Sequence, residues 1–166
     1  PLFHDPLEHP LLWAEDALSM PAAIMKRWTA RFGEERARAM AEWAQREPPL
    51  SVRAVGITAG ELSAELSALE LHPRPADHAQ ILLLPADETE ALLSSPAFTA
   101  GRATIQGATA LRAAQAVGAG PGERILDLCA APGGKTAVLA AAGAEVTACD
   151  VSHEKLALVE VTLQRL

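Results

Sequence analysis

One stretch constrains this chain more than any other: Ile125 to Thr136, ILDLCAAPGGKT. A short apolar run ends in an acid and a cysteine, passes through Ala-Ala-Pro-Gly-Gly, and continues into Lys-Thr-Ala-Val-Leu. That order reads as a strand, a tight loop and the start of a helix. Backbone N–H groups at a helix start point outward without helical partners, and small residues let a ligand come close to them. Glu145 to Cys149 then reads as a second strand. Asp150 closes it, 16 residues after Gly134, at the place where an acid commonly bonds ribose hydroxyls. The segment is therefore the beginning of a βαβα unit, and the fold class is α/β.

Three ligand classes use such a loop. A nucleoside triphosphate needs G-x-x-x-x-G-K-[ST]; counting back from Gly134, the first glycine falls on Cys129, and the signature fails. A dinucleotide needs G-x-G-x-x-G at the strand end, and no such triplet stands there. S-adenosylmethionine carries no phosphate, so it needs close backbone packing and a ribose acid rather than a full glycine set. Asp127 and Asp150, at two consecutive strand ends, suit a cationic sulfonium better than a pyrophosphate. This is a physical preference among three classes.

The rest of the chain reads as three further pieces. Residues 1–20 are rich in Pro and His and form a linker with a short helical piece near Leu11 to Leu18. His4 and His9 are expected to be exposed, not metal ligands. Residues 21–49 are a helical segment. Pro21 suits a first helical turn, Ile24, Trp28 and Phe32 recur as one apolar stripe, and Gly33 breaks the run. Ala37, Met40, Ala41 and Ala44 face inward from a second helix that Pro48 and Pro49 end.

Residues 50–100 form a small α+β module. Leu50–Val55 is a strand, and Thr58-Ala59-Gly60-Glu61 is a capping box opening a helix with Leu62, Leu66 and Leu69 on one face. Gln80–Leu84 is a strand, and Asp87 caps a short helix through Leu93. Residues 101–166 then hold a short strand at Ala103–Gln106, a helix at Thr109–Val117, the turn cluster GAGPGE and the βαβα unit.

Composition sets the limits. The 166 residues are 49% hydrophobic but only 4% aromatic, so the core rests on Leu, Ala, Val and Ile. No apolar run approaches the roughly 18 residues of a membrane span. Two cysteines make neither a disulfide framework nor a zinc set, and each ends an apolar run, as suits a buried reduced thiol in a cytoplasmic protein. The net charge of −7 argues mildly against a large phosphate footprint on this piece. Lys26, Arg27, Arg31, Arg36 and Arg38 lie among glutamates and read as a solvated helix face. The chain opens on Pro-Leu, which reads as a fragment of a longer protein.

LDLCAAPGGKT followed by VTACD closely resembles the cofactor motif of the RNA cytosine-C5 methyltransferases, the RsmB and Sun type. FTAGRATIQGATALRAAQAVGAGPGERI resembles that family's approach to the motif. PAAIMKRWTARFGEERARAMAEWAQREPPLSVRAV resembles its helical N-terminal segment leading into an RRM-like module. Two positions depart from the pattern: Gly107 follows Gln106 where the family often has an acid, and Ala54-Val55 follow Arg53 where it often has Val-Asn. The resemblance implies a Rossmann-like domain using S-adenosylmethionine. Cys129, Ala130, Ala131, Pro132, Gly133, Gly134 and Lys135 would line the methionine side, and Asp150 would hold the ribose.

It further implies methylation of cytosine C5 in RNA, rRNA in preference to tRNA. C5 becomes nucleophilic once a thiolate adds to C6, and a base then removes the C5 proton. The family's thiols follow a Thr and a Pro downstream of the ribose acid. Cys129 and Cys149 match neither, so no catalytic residue is assigned within this chain, and the 166-residue piece is expected to be inactive alone. A non-catalytic RNA-binding or assembly module is the competing expectation.

Overall fold

The computed structural model describes residues 3–166. The chain divides into two compact units, Pro1–Pro48 and Pro49–Leu166.

The first unit is three helices, α1 (Pro10–Leu18), α2 (Ala22–Phe32) and α3 (Glu34–Trp43). Gly33, at φ 83°, makes the break between α2 and α3, a left-handed conformation that favours glycine. The short helix expected near Leu11 to Leu18 is α1, but it packs in a core and is not a linker. α1 contributes Ala14 to one core with Met20, Met25, Ala37 and Ala41, and Leu11, Trp13, Leu18 and Trp28 pack against it. The stripe on α2 is also corrected. Met25 is the buried residue, while Ile24 and Phe32 are each 38% exposed. Ala14, Ala37 and Ala41 leave a narrow space, which an unbranched Met fills better than a ring or a β-branched side chain. Phe32 is instead flanked by the guanidinium groups of Arg31 and Arg36, each 5.5 Å from the ring centroid. Lys26, Arg27, Arg31, Arg36 and Arg38 are all exposed.

The second unit opens with β1 (Leu50–Ala54), α4 (Ala59–Ser67), β2 (Arg74–Pro75) and β3 (Ile81–Leu84). A 3-10 turn (Ala86–Glu88), α5 (Thr89–Ser94), α6 (Pro96–Thr99) and β4 (Ala103–Ile105) follow. The strands form one antiparallel sheet in the order β2-β3-β1-β4, a β-α-β-β-α-β arrangement. The capping box stands: Glu61 N–H donates to Thr58 Oγ1 at 3.1 Å, and Thr58 N–H to Glu61 Oε2 at 2.7 Å. Leu62 and Leu66 are fully buried with Val52, Ala54, Leu82, Leu84, Leu92, Ala97 and Ala103.

Several expectations fail in detail. Leu69 lies past the end of α4 and is 46% exposed. Asp87 caps nothing, because it sits inside the 3-10 turn, and α5 begins without a side-chain cap. Ser95 caps the short α6 instead. The expected boundary at residue 100 also moves, since β4 pairs with β1 and belongs to the module's sheet.

Beyond β4 come α7 (Ala108–Gln115), β5 (Arg124–Asp127), α8 (Gly134–Ala141), β6 (Glu145–Ala148) and α9 (His153–Arg165). β5 and β6 pair in parallel, Ile125 opposite Val146 and Asp127 opposite Ala148, with α8 as the crossover that parallel strands require. Ser152 caps α9 through Lys155 N–H at 3.4 Å. Among the described residues, no helix is long and apolar enough to cross a membrane.

Candidate cofactor site

The site is built where β5 and β6 end side by side. Cys149 N–H donates to Asp127 O at 2.8 Å, and Ala130 N–H donates to Cys149 O at 3.0 Å. The ladder thus runs one step past the strands and fixes where the loop departs. Ala130 is buried, and Gly133 N–H closes a turn onto its carbonyl at 2.7 Å. The Ala131–Pro132 peptide is cis.

Gly133 needs to be glycine for two reasons. Its φ is 102°, and a Cβ there would stand 3.2 Å from Thr162 Cβ and 3.2 Å from Val159 Cα of α9. The loop is pressed against α9 at Gly133. α8 starts at Gly134 with no side-chain cap, so its first-turn N–H groups are left for another acceptor.

Two carboxylates complete the geometry. Asp127 Oδ2 accepts from Thr136 Oγ1 at 2.8 Å, tying the end of β5 to the first turn of α8. Asp150 Oδ2 accepts from Ala131 N–H at 3.1 Å, and Oδ1 from Val151 N–H at 2.9 Å. A carboxylate offers about four lone-pair sites, so Asp150 can hold the loop and still accept from a pair of hydroxyls. The structure therefore brings Ala131 and Asp150 into direct contact, strings Cys129, Ala130, Pro132 and Gly133 along the loop, and puts Gly134 and Lys135 in the first turn of α8. Lys135 and Pro132 are exposed.

Residues 114–166 match the family described as 16S rRNA methyltransferase RsmB/F. Ribosomal RNA small subunit methyltransferase B of Yersinia pseudotuberculosis is 45% identical over 73 residues, 43% of this chain and 17% of its own length. Over this segment the chain is similar to the RsmB/F methyltransferases. A methyltransferase homolog protein from Pyrococcus horikoshii superposes with a TM-score of 0.78 at 28% identity, over 95% of this chain and 53% of that one. The crystal structure of NSun6 from the same organism with SFG superposes with a TM-score of 0.75 at 19% identity, over 88% of this chain and 62% of that one. The chain thus spans only part of the length of the proteins it matches. The mixed α/β fold is that of these methyltransferase structures.

Within the RsmB/F-type segment the cysteines need one correction. Cys129 is exposed rather than buried, and Cys149 is half-buried. Cys129 has left the strand and stands on the loop's rim, next to Leu128, which is 65% exposed. Thr136, only 1% exposed, is a site residue that the sequence reading did not single out; the signal was a hydroxyl nine residues after a strand-end acid. Among the described residues, no three His, Cys, Asp or Glu side chains gather as a metal site.

Proposed function

We propose that this chain carries the methyl-donor half of an enzyme that methylates C5 of cytosine in RNA, with S-adenosylmethionine as donor. The observation that carries this reading is the Asp150–Ala131 contact beside the uncapped start of α8. A ribose acid, a close-packed glycine loop and free backbone donors meet at one place. Cys129 to Lys135 would line the methionine side, and Asp150 would hold the ribose hydroxyls. When bound, the cofactor supplies an electrophilic methyl group. The chain's own residues bind and orient it: Asp127 and Thr136 stiffen the loop, and α9 backs Gly133.

rRNA is the favoured substrate, by the likeness to methyltransferase B, and a cytoplasmic setting follows from it. The module at 50–105 has the strand order expected of an RRM-like unit, and that reading is supported by its β-α-β-β-α-β sequence. Its sheet does not offer an RNA-stacking face of the usual kind. The face turned from α4 carries Arg53, Ile81, Thr104 and Gln106, all buried, with no aromatic among them.

Neither Cys129 nor Cys149 serves as the attacking thiolate in this reading. Calorimetric titration of the protein with S-adenosylmethionine tests the proposal. Saturable binding that weakens at least tenfold in Asp150→Ala is expected if the ribose hydroxyls bond the carboxylate, since charged hydrogen bonds contribute about 1.5–3 kcal/mol. Absence of binding by the wild-type protein sinks it. Incubation with cytosine-containing RNA and labelled cofactor is expected to give no product from this chain by itself.

A further inference from the structure

One charged side chain on α9 has no role in the reading above. Arg165 lies in the helix's last turn and is half-buried. Its Nη1 donates to Phe98 O at 2.9 Å and to Ala103 O at 2.8 Å, and its Nη2 donates to Thr104 Oγ1 at 3.1 Å. The guanidinium carbon stands 3.9 Å from the centroid of the Phe98 ring. Two carbonyls, a hydroxyl and an aromatic face thus receive one cation, with no carboxylate among them. Burial pulls its pKa below the ordinary arginine value, as expected of a charge drawn out of water. The planar fork of arginine serves such a set of acceptors, and the point charge of lysine does not.

The acceptors belong to the module, and the helix belongs to the cofactor segment. Phe98 lies in α6, and Ala103 and Thr104 lie in β4. Gly101, between those elements, has a φ of 76°, and a Cβ there would overlap the Arg165 carbonyl oxygen. The two backbones therefore touch at the end of α9. The same helix touches the loop. Val159 Cα and Thr162 Cβ each stand 3.2 Å from where a Cβ on Gly133 would lie. Val159, Thr162 and Arg165 follow at intervals of three, so each neighbours the next on the helix surface. Six residues of helix rise about 9 Å, so the grip and the loop contact lie within two turns of each other.

We propose that Arg165 is a positioning residue for the cofactor loop: it anchors the last turn of α9 on the module, and the anchored helix holds Gly133 through Val159 and Thr162. The module thereby sets where the loop stands without itself touching the cofactor. Arg165 binds nothing that reacts. It acts only through the helix it secures.

The inference rests on the cofactor reading for its affinity measurement only. In the ligand-free protein, hydrogen–deuterium exchange at residues 130–137 is expected to rise about tenfold in Arg165→Ala, the order of one hydrogen bond to a charged group. Exchange in β1 and β3, which belong to the module's own core, should stay unchanged. Millimolar guanidinium chloride refills the vacated slot and should bring the variant's exchange back toward wild type, while sodium chloride at the same concentration should not. An arginine that merely lengthened α9 would leave no slot for the ion. Phe98→Leu, which keeps both carbonyl acceptors and removes the ring face, is expected to raise exchange in the loop about threefold. The dissociation constant for S-adenosylmethionine should rise in parallel in both variants. Exchange at 130–137 that stays at the wild-type value in Arg165→Ala, that rises equally in β3, or that guanidinium leaves raised overturns the proposal. Should Arg165→Ala fail to fold, Phe98→Leu decides. If the wild-type protein binds no S-adenosylmethionine, the function proposed above fails while the exchange measurement still judges Arg165.

Discussion

Two helices of the second unit begin in opposite ways. α4 closes its own end: Thr58 and Glu61 satisfy each other's backbone donors in a complete capping box. α8 begins after a glycine at φ 102° and has no side-chain cap. Self-sufficiency at α4 contributes to the stability of the module and leaves nothing for a ligand. Incompleteness at α8 leaves first-turn donors near Asp150 without a side-chain cap, where a ligand could take them. A helix start that looks poorly built by the standards of stability is a place to look for chemistry.

That contrast can be broken by substitution. The largest effect is expected from Gly133→Ala, which forces a Cβ into the left-handed region and against Thr162 and Val159. It should destabilise the protein by about 1–3 kcal/mol in urea unfolding and remove cofactor binding. An unfolding midpoint equal to wild type would show that the loop is not held against α9. Thr58→Ala should cost about 1 kcal/mol and leave cofactor affinity unchanged; a loss of affinity would mean the two helix starts are coupled.

Acid should act on the capped start. Thr58's backbone N–H, then its hydroxyl, hold the Glu61 carboxyl below its ordinary pKa. A depressed folded-state pKa means that the contribution is fully present above the ordinary value of about 4.5 and is lost as pH falls through the lowered one. Urea midpoints of wild type and Glu61→Gln should therefore converge as pH drops below about 4, and parallel curves would exclude this contribution. The smallest effect belongs to Gly134→Ala. Its nearest contact, 3.4 Å to Gln106, is ordinary packing, and its φ is not left-handed, so stability should shift by less than about 1 kcal/mol. A large loss there would show that the loop's two glycines are equivalent, against the geometry.

How much was legible in the sequence depends on whether the determinant was local. The capping box, the glycine break at 33, the strand–loop–helix at 125–136 and the acid at 150 are all set by neighbours within a few residues, and they stand where the pattern put them. β2 was missed because two residues, Arg74 and Pro75, are a strand only by virtue of pairing with Leu83 and Leu82. Ser95, not Asp87, caps a helix, because the turn after Pro85 takes Asp87 inside it. The burial of Met25 in place of Ile24 depends on alanines in two other helices. Arg53 and Gln106 carry no local signal at all. A charged residue in a strand reads as surface until the elements that cover it are known.

The grip of Arg165 has a consequence for the order of events during synthesis. Its partners Phe98, Ala103 and Thr104 lie 61 to 67 residues upstream, and its own carbonyl oxygen would stand 2.0 Å from a Cβ on Gly101. The helix-side core of the module can assemble from residues 50–103 as they leave the ribosome. The grip on its remaining face must wait until the last turn of α9 has been made. Contacts of such long sequence separation form late and slowly. The nascent chain thus passes through an interval in which the module's helix-side core exists and the grip on its other face does not, and that interval ends at a single arginine.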